Sequence, residues 1–388
     1  MIYFSAVGLI NALGSSAAEI AHNLTQGHSG LIERDNWLLH DKSTWVGEVN
    51  VLLPEIPPAL ACHNSRNNRL LLAALDSIRP QVDATVERYG RDRIAVIMGT
   101  STAGIHEGEL AIAHRLKTGE LPKQYAYQQQ ELSDPSQFLS AYLDLDGPAY
   151  TISTACSSSV RAMISGYRLI RAGLADAALV GGADSLCQMT LNGFDSLESI
   201  AYRRCMPFAE RRSGINIGEG AGLILLTRQA AKVALLGIGE SSDAWHMSAP
   251  HPEGAGAELA MRMALRQAGL EPEQVGYINL HGTATPLNDT AEAQAVNRVF
   301  GSATPCSSTK HLTGHTLGAA GITEAALSWL ILDRDLTLPV QDFSLSPKDP
   351  NIAEINLLTA PEKLMKKAII SNSFAFGGNN ACVLVGEA

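Results

Sequence analysis

Charge is scarce in this chain. Asp, Glu, Lys and Arg make up 18% of its 388 residues, against 46% apolar residues. That balance excludes a disordered chain and suits a large body with much buried surface. Paired cysteines are also missing. Cys62, Cys156, Cys187, Cys205, Cys306 and Cys382 lie far apart and form no CxxC unit. This argues against a zinc site or a disulfide framework and fits a reducing cytoplasm. No run is long and apolar enough to span a bilayer. Met1–Ala18 lacks the Lys/Arg start of a signal peptide and reads as a first buried strand with its turn. There is no GxxxxGK[ST] phosphate loop, and no GxGxxG set between a strand and a helix. Basic residues are outnumbered, 29 to 39, for a net charge of −10. Nucleic acid and anionic membranes are therefore not expected partners, although a local basic patch can survive on such a surface.

What is present is a regular α/β pattern. Short apolar runs predict buried strands at Arg93–Met98, Ala177–Gly181, Leu223–Leu226, Val233–Ile238, Val275–Leu280, Ala368–Ser373 and Ala381–Val385. Between them, Ser157–Ala172, Ala255–Ala268 and Thr323–Leu332 predict helices. Strands of this kind are covered on both faces. A faint internal echo adds to this. Thr154-Ala-Cys-Ser-Ser-Ser159 and Gly314-His-Thr-Leu-Gly-Ala-Ala-Gly321 each open an apolar helix with small residues, as a duplicated βα unit would.

Three positions could carry chemistry. Cys156 stands where a β-rich run breaks into a helix, so the helix N-terminus should favour its thiolate. The small neighbours leave room for a substrate; the alternative is a small buried apolar residue. His281 emerges from an apolar strand into the turn His281-Gly-Thr-Ala-Thr-Pro286, and strand ends are where α/β sites assemble. His315 follows another short β-type run, five residues after Lys310. His311 lacks the flanking glycine and reads as structural. Gly218–Gly222 reads as tight strand packing. Phe374-Ala-Phe-Gly-Gly-Asn-Asn380 can be a turn bringing backbone donors to a site.

Taken in order, Thr-Ala-Cys-Ser-Ser, His-Gly-Thr-x-Thr, Lys-x-x-x-x-His and Asn-Ser-Phe-x-Phe-Gly-Gly resemble the elongating β-ketoacyl-[acyl carrier protein] synthases over nearly the whole chain. The resemblance implies a thiolase-like fold: two similar βαβα halves, residues 1–230 with cap insertions and 231–388, in a five-layered αβαβα core. It implies Cys156 as acyl acceptor, His281 and His315 as the pair that promotes malonyl decarboxylation, and Lys310 paired with Glu324. Thr283 and Thr285 would lie by the carrier's pantetheine arm. The N–H groups of Cys156 and Phe376 would form an oxyanion hole, with Phe376 and Phe374 at the gate to the acyl pocket. A second histidine at 315 separates the chain from the initiating synthases, which resemble a Cys-His-Asn set. No cofactor or metal is implied. The partners would be an acyl carrier protein, docked on Arg66 and Arg69, and a second subunit: either a copy of this chain or a chain-length-factor-like ketosynthase. Gly99–Glu109 and the strand beyond Tyr150 would lie near that contact.

Some positions depart from the family pattern. Met206-Pro-Phe-Ala209 and Arg212-Ser-Gly214 replace Arg-Pro-Phe-Asp and Arg-Asp-Gly. Ala375 stands where a glycine is usual beside the gate, and Asn379 replaces a common threonine. These changes touch pocket and partner surfaces and point to a specialised pathway; the nearest resemblance is to the ketosynthase subunit of aryl polyene assembly. The alternatives are a housekeeping fatty-acid synthase, a non-catalytic chain-length factor, a thiolase and a thioesterase-like hydrolase. A chain-length factor would lack the cysteine. A thiolase would need a second cysteine as base, and Cys382 lies in an apolar strand. A hydrolase of that type would need a Gly-x-Ser-x-Gly elbow.

Overall fold

The computed structural model describes residues 1–388. The first part of the chain runs β1 (Ile2–Asn11), α1 (Ala17–Gln26), β2 (Leu31–Arg34), β3 (Thr44–Gly47), α2 (Arg66–Asp76), α3 (Arg79–Tyr89), β4 (Ile94–Gly99), α4 (Ile105–Thr118), α5 (Asp134–Tyr142), β5 (Ala149–Ile152), α6 (Ser158–Arg171), β6 (Ala177–Asp184), α7 (Gln188–Ser196) and β7 (Gly220–Thr227). It continues β8 (Val233–Ser242), α8 (Ala255–Ala268), β9 (Tyr277–Asn279), α9 (Pro286–Phe300), β10 (Pro305–Ser307), α10 (Lys310–Thr313), α11 (Ala320–Arg334), β11 (Asn356–Leu357), β12 (Ala368–Phe374) and β13 (Asn379–Glu387). The β2–β3 hairpin stands apart as a two-stranded sheet.

The other eleven strands form one sheet, ordered β11-β10-β9-β12-β13-β8-β1-β7-β6-β4-β5. Its two sides repeat each other. From β1 outward, β7 and β6 are added antiparallel, then β4 and β5 parallel. From β8 outward, β13 and β12 are added antiparallel, then β9 and β10 parallel. The two runs meet where Ile2 and Tyr3 pair with Leu235 and Ala234. Helices α6 and α11 occupy equivalent places, after β5 and after β10, so the echo between Thr154–Ser159 and Gly314–Gly321 reflects equivalent crossovers.

Residues of alternate sheet faces sort into separate cores, as a period of two requires. Val160, Met163 and Ile164 of α6, with Ile322, Ala326 and Leu330 of α11, fill the centre between Ile97 and Val180 on one side and Ile369 and Val383 on the other. Leu71, Leu75 and Phe138 of α2 and α5 cover Val96, Met98 and Leu179 on one outer face. Met261, Ala264 and Val296 of α8 and α9 cover Ile278, Ile370 and Leu384 on the other. The result is five layers, αβαβα, with both faces of the central strands buried. All seven apolar runs named above form strands. β9 is shorter than the run Val275–Leu280 because it pairs only with the three-residue β10 and part of β12.

Two glycines set how closely the central helices approach. A Cβ on Gly99, at the end of β4, would lie 2.4 Å from the backbone nitrogen of Ser159 in the first turn of α6. A Cβ on Gly218 would lie 2.3 Å from the carbonyl of Thr313. The end of β4 thus touches the start of α6 backbone to backbone, and the approach to β7 touches the end of α10, which gives the tight-packing reading of Gly218–Gly222 its physical basis.

Candidate active site

Cys156 sits in the turn from β5 to α6. Its predecessor Ala155 adopts φ +50°, a left-handed conformation uncommon for a residue with a Cβ. The turn is held from inside by serines: Ser158 Oγ accepts from Thr154 N at 2.9 Å, and Ser159 Oγ accepts from Ile322 N at 2.9 Å. The small residues are needed because the starts of α6 and α11 pack together here. Burial dominates the thiol. It pushes the Cys156 pKa up to about 11, against the pull of Lys310 and of the backbone N–H groups of Phe376 and Cys156 itself. Burial therefore opposes the thiolate that the helix end would favour. Those two N–H groups converge on Sγ, where an oxyanion would need donors.

Nε2 of His315 lies 3.0 Å from Sγ, and the rings of His281 and His315 stand 5.4 Å apart, nearly perpendicular. Each imidazole has a donor on its far side. Leu317 N–H donates to His315 Nδ1 at 3.2 Å, and the Lys310 ammonium lies 3.3 Å from His281 Nδ1. A nitrogen that accepts cannot hold the proton of a neutral imidazole, so both rings carry theirs on Nε2. Both pKa values fall well below 6.5, first because the rings are buried and then because Lys310 is close. Two neutral N–H donors thus face the thiol. Sγ and one nitrogen of each ring lie within 4.8 Å of one another, a spacing a metal could use. Coordination would need the Nε2 lone pairs, which these tautomers do not offer, so the donor set does not fit a metal.

A buried carboxylate network holds this arrangement. Lys310 pairs with Glu324 of α11 and donates to the carbonyl of His281. Burial pushes Glu324 up to about 7 despite the lysine. Glu292 of α9 accepts from the N–H groups of His281 and Gly282, both at 2.8 Å, and from Asn372 at 3.2 Å. Asp289, one turn earlier, accepts from Phe208 N at 2.8 Å and Ala284 N at 3.2 Å. Neither acid was singled out from the sequence. The available signal was their i, i+3 spacing just after His281-Gly-Thr-Ala-Thr-Pro286, which turns both back over that loop.

A cavity of about 290 Å³ opens from Cys156, His281 and His315. Thr283 and Thr285 line it, with their hydroxyls 2.9 Å apart. Phe374 and Phe376 line it too; the Phe376 ring packs against Phe194 of α7 at 5.7 Å, and Phe374 lies 6.2 Å from His281. Phe194 was also missed, since nothing in its neighbourhood distinguishes it from a core phenylalanine. The turn from Ala375 to Gly378 places its left-handed residues at Gly377 (φ +83°) and Gly378 (φ +75°). Ala375 lies outside that region, so its Cβ fits without strain.

Family models match residues 6–344, which carry Cys156, His281, His315, Lys310 and Glu324. The β-ketoacyl synthase N-terminal domain covers residues 6–232 and the C-terminal domain residues 233–344. This chain belongs to the β-ketoacyl synthase family. Within the family it is 32% identical over 338 residues to 3-oxoacyl-[acyl-carrier-protein] synthase 2 of Staphylococcus aureus, covering 81% of this chain and 82% of the relative. It is 29% identical to the chloroplastic 3-oxoacyl-[acyl-carrier-protein] synthase II of Arabidopsis thaliana, covering 99% and 75%. Among solved structures it is 57% identical to the ketosynthase ApeO of Xenorhabdus doucetiae, determined in complex with its chain length factor ApeC; the TM-score is 0.98 and coverage 100% and 98%.

Elsewhere on this β-ketoacyl synthase the structure departs from simple expectation. The Arg66 guanidinium bonds the fully buried Glu219 through Nε at 2.8 Å and also the carbonyl of Val49 at 3.0 Å. Arg69 donates to the carbonyls of Pro54 and Leu53, both at 2.9 Å, and pairs with Glu55. Both side chains help to fasten α2 while remaining about 30% exposed. Arg212 is likewise spent, on Asp349 at 2.6 Å, while Arg203 and Arg211 remain exposed. Cys382 faces the α8 layer and bonds Asn372, with its thiol pushed up by burial. His311 is buried and falls to about 4. No helix is long and apolar enough to cross a membrane.

Proposed function

We propose that this chain catalyses the decarboxylative condensation of a malonyl thioester with an acyl chain held on Cys156. The observation that supports it is the pair of Nε2–H donors, one on His281 and one on His315, facing the same thiol. In the first step Sγ attacks the carbonyl of an acyl-carrier thioester. The tetrahedral oxyanion is held by the N–H groups of Cys156 and Phe376, and the carrier thiolate leaves with the proton from Sγ. In the second, the bond from the malonyl α-carbon to its carboxylate breaks and carbon dioxide departs. The electron pair enters an enolate whose oxygen accepts from both histidines. In the third, that α-carbon attacks the acyl-Cys156 carbonyl and the Cys156 thiolate leaves, giving a β-ketoacyl carrier; Sγ then takes a proton from solvent and returns to the resting thiol. Electrons balance without a redox cofactor. Lys310 and Glu324 hold His281 in the tautomer this needs. Thr283 and Thr285 stand along the path of the pantetheine arm, and Phe376, with Phe374 behind it, gates the acyl pocket. Residues 1–230 and 231–388 are the two copies of the duplicated unit that bring the cysteine and the histidines together.

The likeness to ApeO supports a narrower reading. On it, the chain extends an aryl-capped conjugated polyene on an acyl carrier protein, beside a chain-length-factor-like partner, in the cytoplasm. Carrier docking on this reading uses the partly exposed Arg66 and Arg69 at the start of α2, with the exposed Arg203 and Arg211 as further cations. The test is the intact mass of the protein, alone and with its partner subunit, after exposure to carriers loaded with polyene or saturated chains. An acyl mass on wild type and none on Cys156→Ala supports the acceptor role. Equal loading of both chain types would overturn the polyene reading, and no loading in either state would overturn the enzyme reading.

A further inference from the structure

The tautomer of His315 depends on one N–H group, that of Leu317, and the turn that presents it is unusual. Leu317 has φ +51°, a left-handed conformation that costs a residue with a branched side chain on the order of 1–3 kcal/mol unless its surroundings over-determine it. The following turn, 317–319, is tied down at Ala319, whose N–H donates to Asp184 Oδ2 at 3.0 Å. Asp184 ends β6, in the other half of the duplication, and is fully buried.

Its second oxygen is crowded. Oδ1 accepts from Thr100 Oγ1 (3.0 Å), Ser101 N (2.8 Å), Thr102 N (2.7 Å) and Thr102 Oγ1 (2.7 Å). These belong to the turn after β4, which contains another left-handed residue with a side chain, Ala103 at φ +44°. One carboxylate therefore staples two strained turns, one from each half. No cation pairs with it, and it does not line the cavity. An apolar side chain here would leave the N–H groups of Ser101, Thr102 and Ala319 buried without an acceptor, so both turns depend on this carboxylate. What the carboxylate adds is direction: it fixes where the turn after His315 points its N–H groups.

We propose that Asp184 is a positioning residue for the reaction: it holds the turn 317–319 so that Leu317 N–H fixes His315 as the Nε2–H tautomer. The proposal rests on the role given above to His315. Asp184→Asn tests it selectively. An amide keeps one acceptor oxygen; four donors draw that oxygen to the Oδ1 site and leave the NH2 group facing Ala319 N–H. The turn after β4 stays satisfied and only the bond to the histidine turn is lost. Gly318→Ala attacks the same contact from the other side, since its Cβ would lie 2.8 Å from Asp184 Oδ2 and 2.8 Å from Ser101 N; it serves if Asp184→Asn does not fold.

The measurement is made on the full chain with its partner subunit, labelled with 15N-histidine. In wild type His315 should show a protonated Nε2 and a bare Nδ1. In either variant the two nitrogens should move toward a mixture. Malonyl decarboxylation should fall in kcat by about tenfold or more, short of the about 10²–10³-fold of a donor removed outright because a share of His315 keeps its Nε2–H, with the carrier KM unchanged and acylation of Cys156 within about threefold. A variant whose His315 keeps the wild-type nitrogen shifts, or in which acylation falls in step with decarboxylation, would overturn the proposal. The nitrogen shifts report the staple whatever the chemistry, so a failure of the condensation reading would be seen separately, as decarboxylation indifferent to His315→Ala.

Discussion

A thiol held near pKa 11 is almost wholly protonated at neutral pH, with about one molecule in ten thousand ionised. Cys156 must therefore be activated at the moment of attack and not beforehand. The alkylation rate of Cys156 by iodoacetamide should keep rising with pH through 9 and level off only near 11. A plateau below pH 8 would mean a resting thiolate and would remove this account. The histidines behave oppositely. Their pKa values lie well below 6.5, so the neutral form that donates from Nε2 persists as pH falls. The histidines themselves should leave the decarboxylation kcat level from pH 8 down to about 6, and an inflection near 7 that Glu324→Gln abolishes would belong to Glu324. Replacing either ring removes one donor to the enolate oxygen; His281→Ala and His315→Ala should each lower decarboxylation by about 10²–10³-fold while leaving Cys156 able to accept an acyl group. A bell-shaped profile centred near 6.5 would show imidazolium as the working form.

At the scale of elements, the site is made by two helix starts pressed together. Gly99→Ala would drive a Cβ to 2.4 Å from Ser159 N and force α6 away from β4. Overpacking of this kind costs about 1–3 kcal/mol, so the expected result is a Tm lower by several degrees together with slower acylation of Cys156. A loss of stability with unchanged acylation would mean that the nucleophile does not depend on this contact. The same scale explains what could be read from the sequence. Strands buried on both faces are continuous apolar runs, so β4, β6, β7, β12 and β13 were legible, and so were α6, α8 and α11 with their small-residue starts. Cys156, His281 and His315 were legible because they sit at strand ends in distinctive turns. Phe194, Asp184, Asp289 and Glu292 were not. Their contacts are made across 80 residues or more, or back over a loop whose path the local pattern does not give. The internal partner of Arg66 was not legible for a related reason: Glu219 lies 153 positions away.

For the whole molecule, the open question of physics is the edge of the large sheet. β5 closes it, and only one side of β5 is paired. Val96 N donates to the carbonyl of Pro148 and Thr100 N to that of Ile152, so the even-numbered residues face β4. Ala149 and Thr151 therefore turn their N–H groups outward, where nothing in this chain meets them. An edge of this kind pairs with another strand or must be blunted, and β5 carries no charge, proline or bulge that would blunt it. Ile112 and Leu116, one turn apart on α4, are exposed as well, at 61% and 83%, the pattern of a surface that a partner covers. A second ketosynthase-type subunit with its own free edge strand would satisfy both features and extend the sheet across the contact. Ala149→Pro tests this with little disturbance inside the chain, because it removes an N–H that β4 does not use and stands at the first residue of the strand, where proline is tolerated. The subunit dissociation constant measured by sedimentation should rise about tenfold or more, the equivalent of about 1.4 kcal/mol, with the far-ultraviolet circular dichroism unchanged. An unchanged constant would place the subunit contact on another face and leave β5 as an edge protected by loops alone.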